Sequence, residues 1–137
     1  MDTGITIGLT GTKKATATEG NSAIAMGSGG IETYATPAMI ALMEGSAVVA
    51  IDKLLPDGHA SVGIEINIKH MAATPLGQVI KATAEVTSID KRRINFKLEA
   101  WDETEKIGEG THTRVIINIE RFKERLNDKS NKSQIGR

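Results

Sequence analysis

The chain has 137 residues, with 17 Lys plus Arg balancing 17 Asp plus Glu, so it is long enough for one domain with a real core and has no net charge to draw it to nucleic acid or an anionic membrane. It contains no cysteine, which excludes disulfides, thiolate metal sites and cysteine nucleophiles and fits a reducing cytoplasm. Trp101, Tyr34, Phe96 and Phe122 are the full aromatic set, so the core must be built from Ile, Val, Leu, Met and Ala, and no base-stacking platform is expected.

The opening MDTGITIGLTGTKKATATEG is too polar for a secretory signal, and no apolar stretch reaches the roughly 20 residues that span a bilayer. A soluble, cytoplasmic protein is expected. Ile5, Ile7 and Leu9 alternate and predict an edge strand, before a Thr/Gly/Ser-rich stretch, ATATEGNSAIAMGSGG, that reads as a loop or flexible lid. At Thr36-Pro37 an N-cap acceptor precedes a proline suited to the first turn, which predicts a helix from Pro37 to Leu54 capped by Thr36. Its apolar residues surround nearly the whole circumference, so it should be enclosed by protein. After the turn pair Asp57-Gly58 the period becomes two, with Val62, Ile64, Ile66, Ile68 and His70 on the inward face and Gly63, Glu65, Asn67 and Lys69 on the other. Pro75-Leu76-Gly77 ends that strand. Ile80, Ala82, Ala84 and Val86 mark the next, Ile94, Phe96, Leu98 and Ala100 a third, and residues 107–119 a fourth, with tight connections at 88–91 and 102–106. Four strands in meander order after one buried helix predict an α+β layer in which a curved antiparallel sheet wraps a long central helix. The expected domain is residues 1–127, followed by a disordered polar tail over 128–137. An exposed edge strand favours a dimer that continues the sheet.

Three polar residues stand out. Glu44 is a lone carboxylate in the run LMEGSAVVAI, and because unpaired buried charge costs several kcal/mol it implies either a satisfied groove position or a nucleophile or general base at a cleft. Gly45 beside it hints at close approach by another chain or ligand. His70 ends the inward face of the clearest strand, where an imidazole can move protons. Thr36 is explained by capping alone, and eight helical positions separate it from Glu44, about 12 Å at ~1.5 Å per residue, too far for a hydrogen bond. If the two share a site, the helix starts later or a neighbouring protomer supplies one of them. His59 and His112 read as structural or exposed. Lys91-Arg92-Arg93 at a hairpin reads as solvated surface that could hold phosphates of a nucleotide-like ligand. There is no HExxH, EF-hand or GxSxG pattern, so no metal or serine-hydrolase chemistry is indicated.

The stretches ATPAMIALMEGSAVVAI, GIEINIKHMAATPLGQVI, KATAEVTSIDKRRINFKLEAWD and KIGEGTHTRVIINIERF together resemble the fluoroacetyl-CoA thioesterase-like branch of the hot-dog thioesterase superfamily, over about residues 34–123. The resemblance implies a hot-dog fold, a homodimer with active sites at the protomer interface, and hydrolysis of acyl-CoA thioesters by a threonine, a glutamate and a histidine. By motif position these fall on Thr36, Glu44 and His70. It further implies that Gly63 lies beside the bound thioester, that Arg114 stands near the substrate entrance, and that Tyr34 is the single aromatic of a lid that is aromatic-rich in the fluoroacetyl-CoA enzyme. The aligned MGSGGIETYA supplies glycines instead, so the scaffold carries over while fluorine-selective packing has no carrier. The expected activity is hydrolysis of a short-chain acyl-CoA to free acid and CoA, with no cofactor, CoA being part of the substrate. The rivals are a hot-dog enoyl-CoA hydratase and a non-catalytic acyl-CoA-binding protein. Assembly beyond a dimer, such as a tetramer, stays open.

Overall fold

The computed structural model describes residues 3–133. Strand β1 (Thr10–Thr16) leads through a 3-10 turn (Glu19–Asn21) and a one-turn helix α1 (Ala23–Met26) to the long helix α2 (Thr36–Ile51), which ends in a 3-10 turn (Asp52–Leu54). Strands β2 (His59–His70), β3 (Val79–Asp90), β4 (Arg93–Trp101) and β5 (Lys106–Asn118) follow, and helix α3 (Ile119–Asn131) closes the described chain. The strands form one antiparallel sheet in the order β1-β3-β4-β5-β2. Helix α2 touches β1, β2, β3 and β4, so the sheet curls around it.

The inward alternation expected for β3 and β4 holds: Ile80, Ala82, Ala84, Val86, Ile94, Phe96, Leu98 and Ala100 are all buried. The meander does not hold for β2. It pairs with β5 and not with its sequence neighbour β3, because the segment 71–78 with its proline carries the chain to the far side of the sheet. Both edges are thus known: β1 on one side, β2 on the other. The first strand starts later than the Ile5-Ile7-Leu9 alternation suggests, and Ile7 is exposed. The expected lid contains the two short helical turns, tied down where the Thr33 hydroxyl and the Tyr34 N–H both donate to the Thr74 carbonyl. At the other terminus, residues 128–131 belong to α3 and are not a disordered tail. Residues 134–137 of that expectation lie outside the described residues.

Helix α2 sits low on the sheet because the strands offer it small residues. Gly11, Ala82, Ala84 and Ala100 are buried on the concave side, and Gly108 makes room for Met39, whose sulfur would lie 2.6 Å from any added Cβ. Met39, Leu42, Met43, Ala47, Ala50 and Ile51 fill the space between the layers, as flexible thioethers suit an irregular gap. Enclosure is incomplete, however: Ala41 and Val49 on the opposite side of α2 are exposed in the single chain.

The β1–α2 approach gives a direct test. A Cβ on Gly11 would lie 2.6 Å from the Ala50 amide nitrogen and closer still to the Ser46 carbonyl. Both neighbours are backbone, which cannot swing aside. Gly11→Ala is expected to cost about 1–3 kcal/mol in denaturant unfolding, the range for overpacking, whereas Gly20→Ala, whose nearest neighbour is 3.8 Å away, should stay within about 0.5 kcal/mol.

Candidate active site

Two polar groups form along α2, one at its N-terminal end and one at its middle. At the N-terminal end, Thr36 is the first residue of the helix and Ala35 its N-cap, with no side-chain cap bond. The capping role expected of Thr36 is therefore corrected: its Oγ1 lies 2.7 Å from Nδ1 of His70, the last residue of β2. The other ring nitrogen of His70, Nε2, is buried and has no hydrogen-bond partner among the described residues. A cavity of about 300 Å³ opens beside this pair, bounded by Tyr34, Met71 and the small residues Ala23 and Ala73. Burial lowers the His70 pKa, the Ala72 backbone acting in the opposite direction. Tyr34 is a wall and not a loose lid aromatic: only 2% exposed, its phenol is pushed up to about 12 by burial.

The second group is centred on Glu44, two turns further along. Its carboxylate is partly exposed and, with Gly63 of β2 and His112 of β5, borders a cavity of about 260 Å³, while Arg114 of β5 stands behind it. Arg114 supplies the opposite charge that is missing from Glu44's sequence neighbourhood, with Nη1 at 3.9 Å from Oε2. Gly63 meets this group because β2 carries a bulge between Gly63 and Glu65. Across the ladder Ser61 faces Ile116 and Gly63 faces Arg114; beyond the bulge Ile66 faces His112 and His70 faces Gly108. Directly opposed residues share a face, so the extra residue Ile64 switches the parity. Ser61 and Gly63 point inward with Ile66, Ile68 and His70, while Val62 does not, contrary to strict alternation. Ile64 is half exposed.

His112, expected to be structural or exposed, is 2% exposed and stands in the Glu44 cavity. Its Nδ1 lies 2.7 Å from the Glu65 carbonyl and its Nε2 3.2 Å from Arg114 Nη1. A carbonyl can only accept and a guanidinium only donate, so Nδ1 carries the proton, Nε2 the lone pair, and the ring is neutral. Burial lowers its pKa; the Glu65 carbonyl opposes this, Arg114 reinforces it and Glu44 opposes it. Both nitrogens of His112 are thus engaged, whereas His70 keeps Nε2 without a hydrogen-bond partner among the described residues. The signal for His112 lies in KIGEGTHTRVI, where His112 and Arg114 fall two apart on one face with Gly108 and Gly110.

One chain thus joins Thr36 to His70 and Glu44 to Gly63 and Arg114, but α2 is continuous and holds the two groups about 12 Å apart by helical rise. At Gly45 the close neighbour is Lys13 of β1 in the same chain and not another chain or a ligand, its Nζ lying 3.0 Å from where a Cβ would stand. Lys91 and Arg92 join neither group; they line a separate cavity of about 500 Å³ with Ile89, Ile94 and Ile116. Among the described residues no group of three His, Asp or Glu could hold a metal, and no helix is long and apolar enough to cross a membrane.

A family model described as fluoroacetyl-CoA-specific thioesterase matches residues 17–120. The fluoroacetyl-CoA thioesterase of Streptantibioticus cattleyicolor is 38% identical over 99 residues, covering 72% of this chain and 71% of its own. A solved structure of a fluoroacetyl-CoA thioesterase superposes with a TM-score of 0.87 at 31% identity, over 92% of this chain and 98% of that one. A hot-dog-like protein from Thermanaerovibrio acidaminovorans, 21% identical, shares the fold with a TM-score of 0.82 over 90% of this chain and 91% of its own.

The two histidines make stability pH-dependent. Their pKa values in the fold lie below the ordinary 6.5, so below that pH the unfolded chain binds more protons than the native one. Their contribution is present above about 6.5 and is lost as pH falls through the lowered native values. The thermal midpoint should therefore drop as pH is taken from 7.5 to 5, with a shallower drop in His70→Gln. A midpoint independent of pH over this range contradicts the burial argument.

Proposed function

Since the chain belongs to the fluoroacetyl-CoA-specific thioesterase family and has its hot-dog fold, we propose that it hydrolyses a short-chain acyl-CoA to the free acid and CoA at sites built across a homodimer. The observation that carries this reading is the division of the polar residues. Thr36 and His70 border one cavity, where His70 Nε2 lacks a partner, and Glu44 borders another beside Gly63. A two-fold that brings the Thr36–His70 group of one protomer to the Glu44–Gly63 group of its partner completes two identical sites, because an isologous interface repeats every contact twice. The β2 edge of the sheet and the exposed Ala41 and Val49 of α2 supply an interface for it. The homodimer and the cytoplasmic location expected from the cysteine-free composition belong to the same proposal.

In such a site Glu44 drives attack on the thioester carbonyl, as nucleophile or as base toward water. Arg114 Nη1, 3.9 Å from Oε2, sets a positive charge beside the Glu44 carboxylate. The missing side chain of Gly63 leaves space for the carbonyl: a Cβ there would stand 3.1 Å from Glu44 Oε2. His70 offers Nε2 to the carbonyl oxygen or the departing sulfur, with its ring held by Thr36. With Glu44 as base, water adds to the carbonyl carbon, the carbon–sulfur bond breaks and the thiolate leaves with a proton; with Glu44 as nucleophile, the same bond breaks as a mixed anhydride forms, which water then hydrolyses to free the acid and the carboxylate. Thiolate is a good leaving group, so the reaction requires no cofactor.

Glu44→Gln and His70→Ala should each lose roughly a hundredfold or more of thiol release from acyl-CoA substrates while keeping the parent circular dichroism. Mixing the two variants should restore up to about a quarter of parent turnover, since half of randomly paired dimers carry one intact site. Failure to complement would place all the groups in one protomer. Hydration of crotonyl-CoA without thiol release would instead support the hydratase alternative.

A further inference from the structure

Arg114 is 6% exposed, deep enough that its charge must be compensated. Its Nε donates to Ser61 Oγ at 2.8 Å and its Nη2 to the Ser61 carbonyl at 2.8 Å, while Nη1 points to His112 Nε2 at 3.2 Å and toward Glu44 at 3.9 Å. Ser61 is itself held: its hydroxyl donates to Asp52 Oδ1 at 2.5 Å and its amide to Oδ2 at 3.3 Å. Every proton in this chain of contacts has one direction. The Ser61 hydroxyl hydrogen is committed to Asp52, which leaves its lone pair for Arg114. Asp52 is the C-cap of α2, the helix that also carries Glu44, so the contacts close a loop from the end of α2 through β2 and β5 back to the middle of α2.

We propose that Ser61, fixed by Asp52, is a positioning residue for Arg114, and that Arg114 holds the Glu44 carboxylate in register with Gly63. This rests on the reading of Glu44 as the reacting carboxylate. At 3.9 Å the guanidinium acts on Glu44 as a fixed charge and not as a hydrogen-bonding clamp, which leaves the carboxylate oxygens available to substrate or water. Two parallel bonds to Ser61 require the planar fork of arginine; a lysine ammonium could not make both and still face Glu44.

The test compares Ser61→Ala, Ser61→Thr, Arg114→Ala and Arg114→Lys in the full-length protein, with Glu44→Gln as reference, by thiol release from a series of short acyl-CoAs. Ser61→Ala should lower kcat about tenfold with little change in KM, as expected for misplacement of a reacting group, and Ser61→Thr, which keeps the hydroxyl, should recover most of it. Arg114→Ala should lose more, and millimolar guanidinium should restore part of its turnover without affecting Glu44→Gln; Arg114→Lys should fall between. If Arg114→Ala fails to fold, the pair of Ser61 variants decides. An unchanged kcat in Ser61→Ala, or a folded Arg114→Ala that guanidinium does not rescue, overturns the relay while an inactive Glu44→Gln keeps the thioesterase reading intact. A fully active Glu44→Gln overturns both.

Discussion

The structure depends on how closely helix α2 approaches the sheet. Gly11 on β1 and Gly108 on β5, with Ala82, Ala84 and Ala100 between them, let the helix settle against the strands, where its Met39, Leu42, Met43, Ala47, Ala50 and Ile51 side chains fill the gap. A helix held higher would leave the short side chain of Thr36 out of reach of His70, and Glu44 away from Gly63. The residues that place the functional groups are therefore mostly those with no functional group of their own. This is why the core is rich in alanine and glycine when its aromatic content is so low.

Along that helix the two histidines of the concave face are sorted by what their second nitrogen meets. His112 has a carbonyl on one side and a guanidinium on the other, which fixes its tautomer and leaves it nothing to exchange. His70 Nδ1 meets the Thr36 hydroxyl, a group able to donate or accept, so this contact does not fix its tautomer. Burial disfavours the imidazolium in both cases, and a neutral ring is the form able to take up a proton. The charge in the site resides instead on Glu44 and Arg114, separated enough to attract without locking together.

Much of the fold was legible because it follows local rules. The β3 and β4 alternation, the glycine turns and the long apolar helix each depend on neighbours in sequence. The order of strands was not: nothing local tells β2 to skip β3 and pair with β5. Thr36 read as a cap because Thr-Pro at a helix start usually is one, and only the fold shows that His70 competes for its hydroxyl. Glu44 was visible as an unexplained charge, but its compensation comes from a strand seventy residues away. His112 carries no such local signal: its face follows from the pairing of β5 with β2 and β4. Alternation alone puts Gly63 on the outward face, and only the bulge at Ile64 turns it toward Glu44.

The bulge at Ile64 divides β2 into two segments of opposite phase. Residues before it and after it read the same face of the sheet on different parities, so the strand behaves as two rulers offset by one mark. A homologous strand that lost this single residue would keep its composition and its length to within one step, yet would turn either the Ser61–Gly63 end or the His70 end out to solvent. The insertion is what lets one continuous strand serve both polar groups, and its presence or absence is the feature to look for when a related sequence is asked whether it can carry the same chemistry.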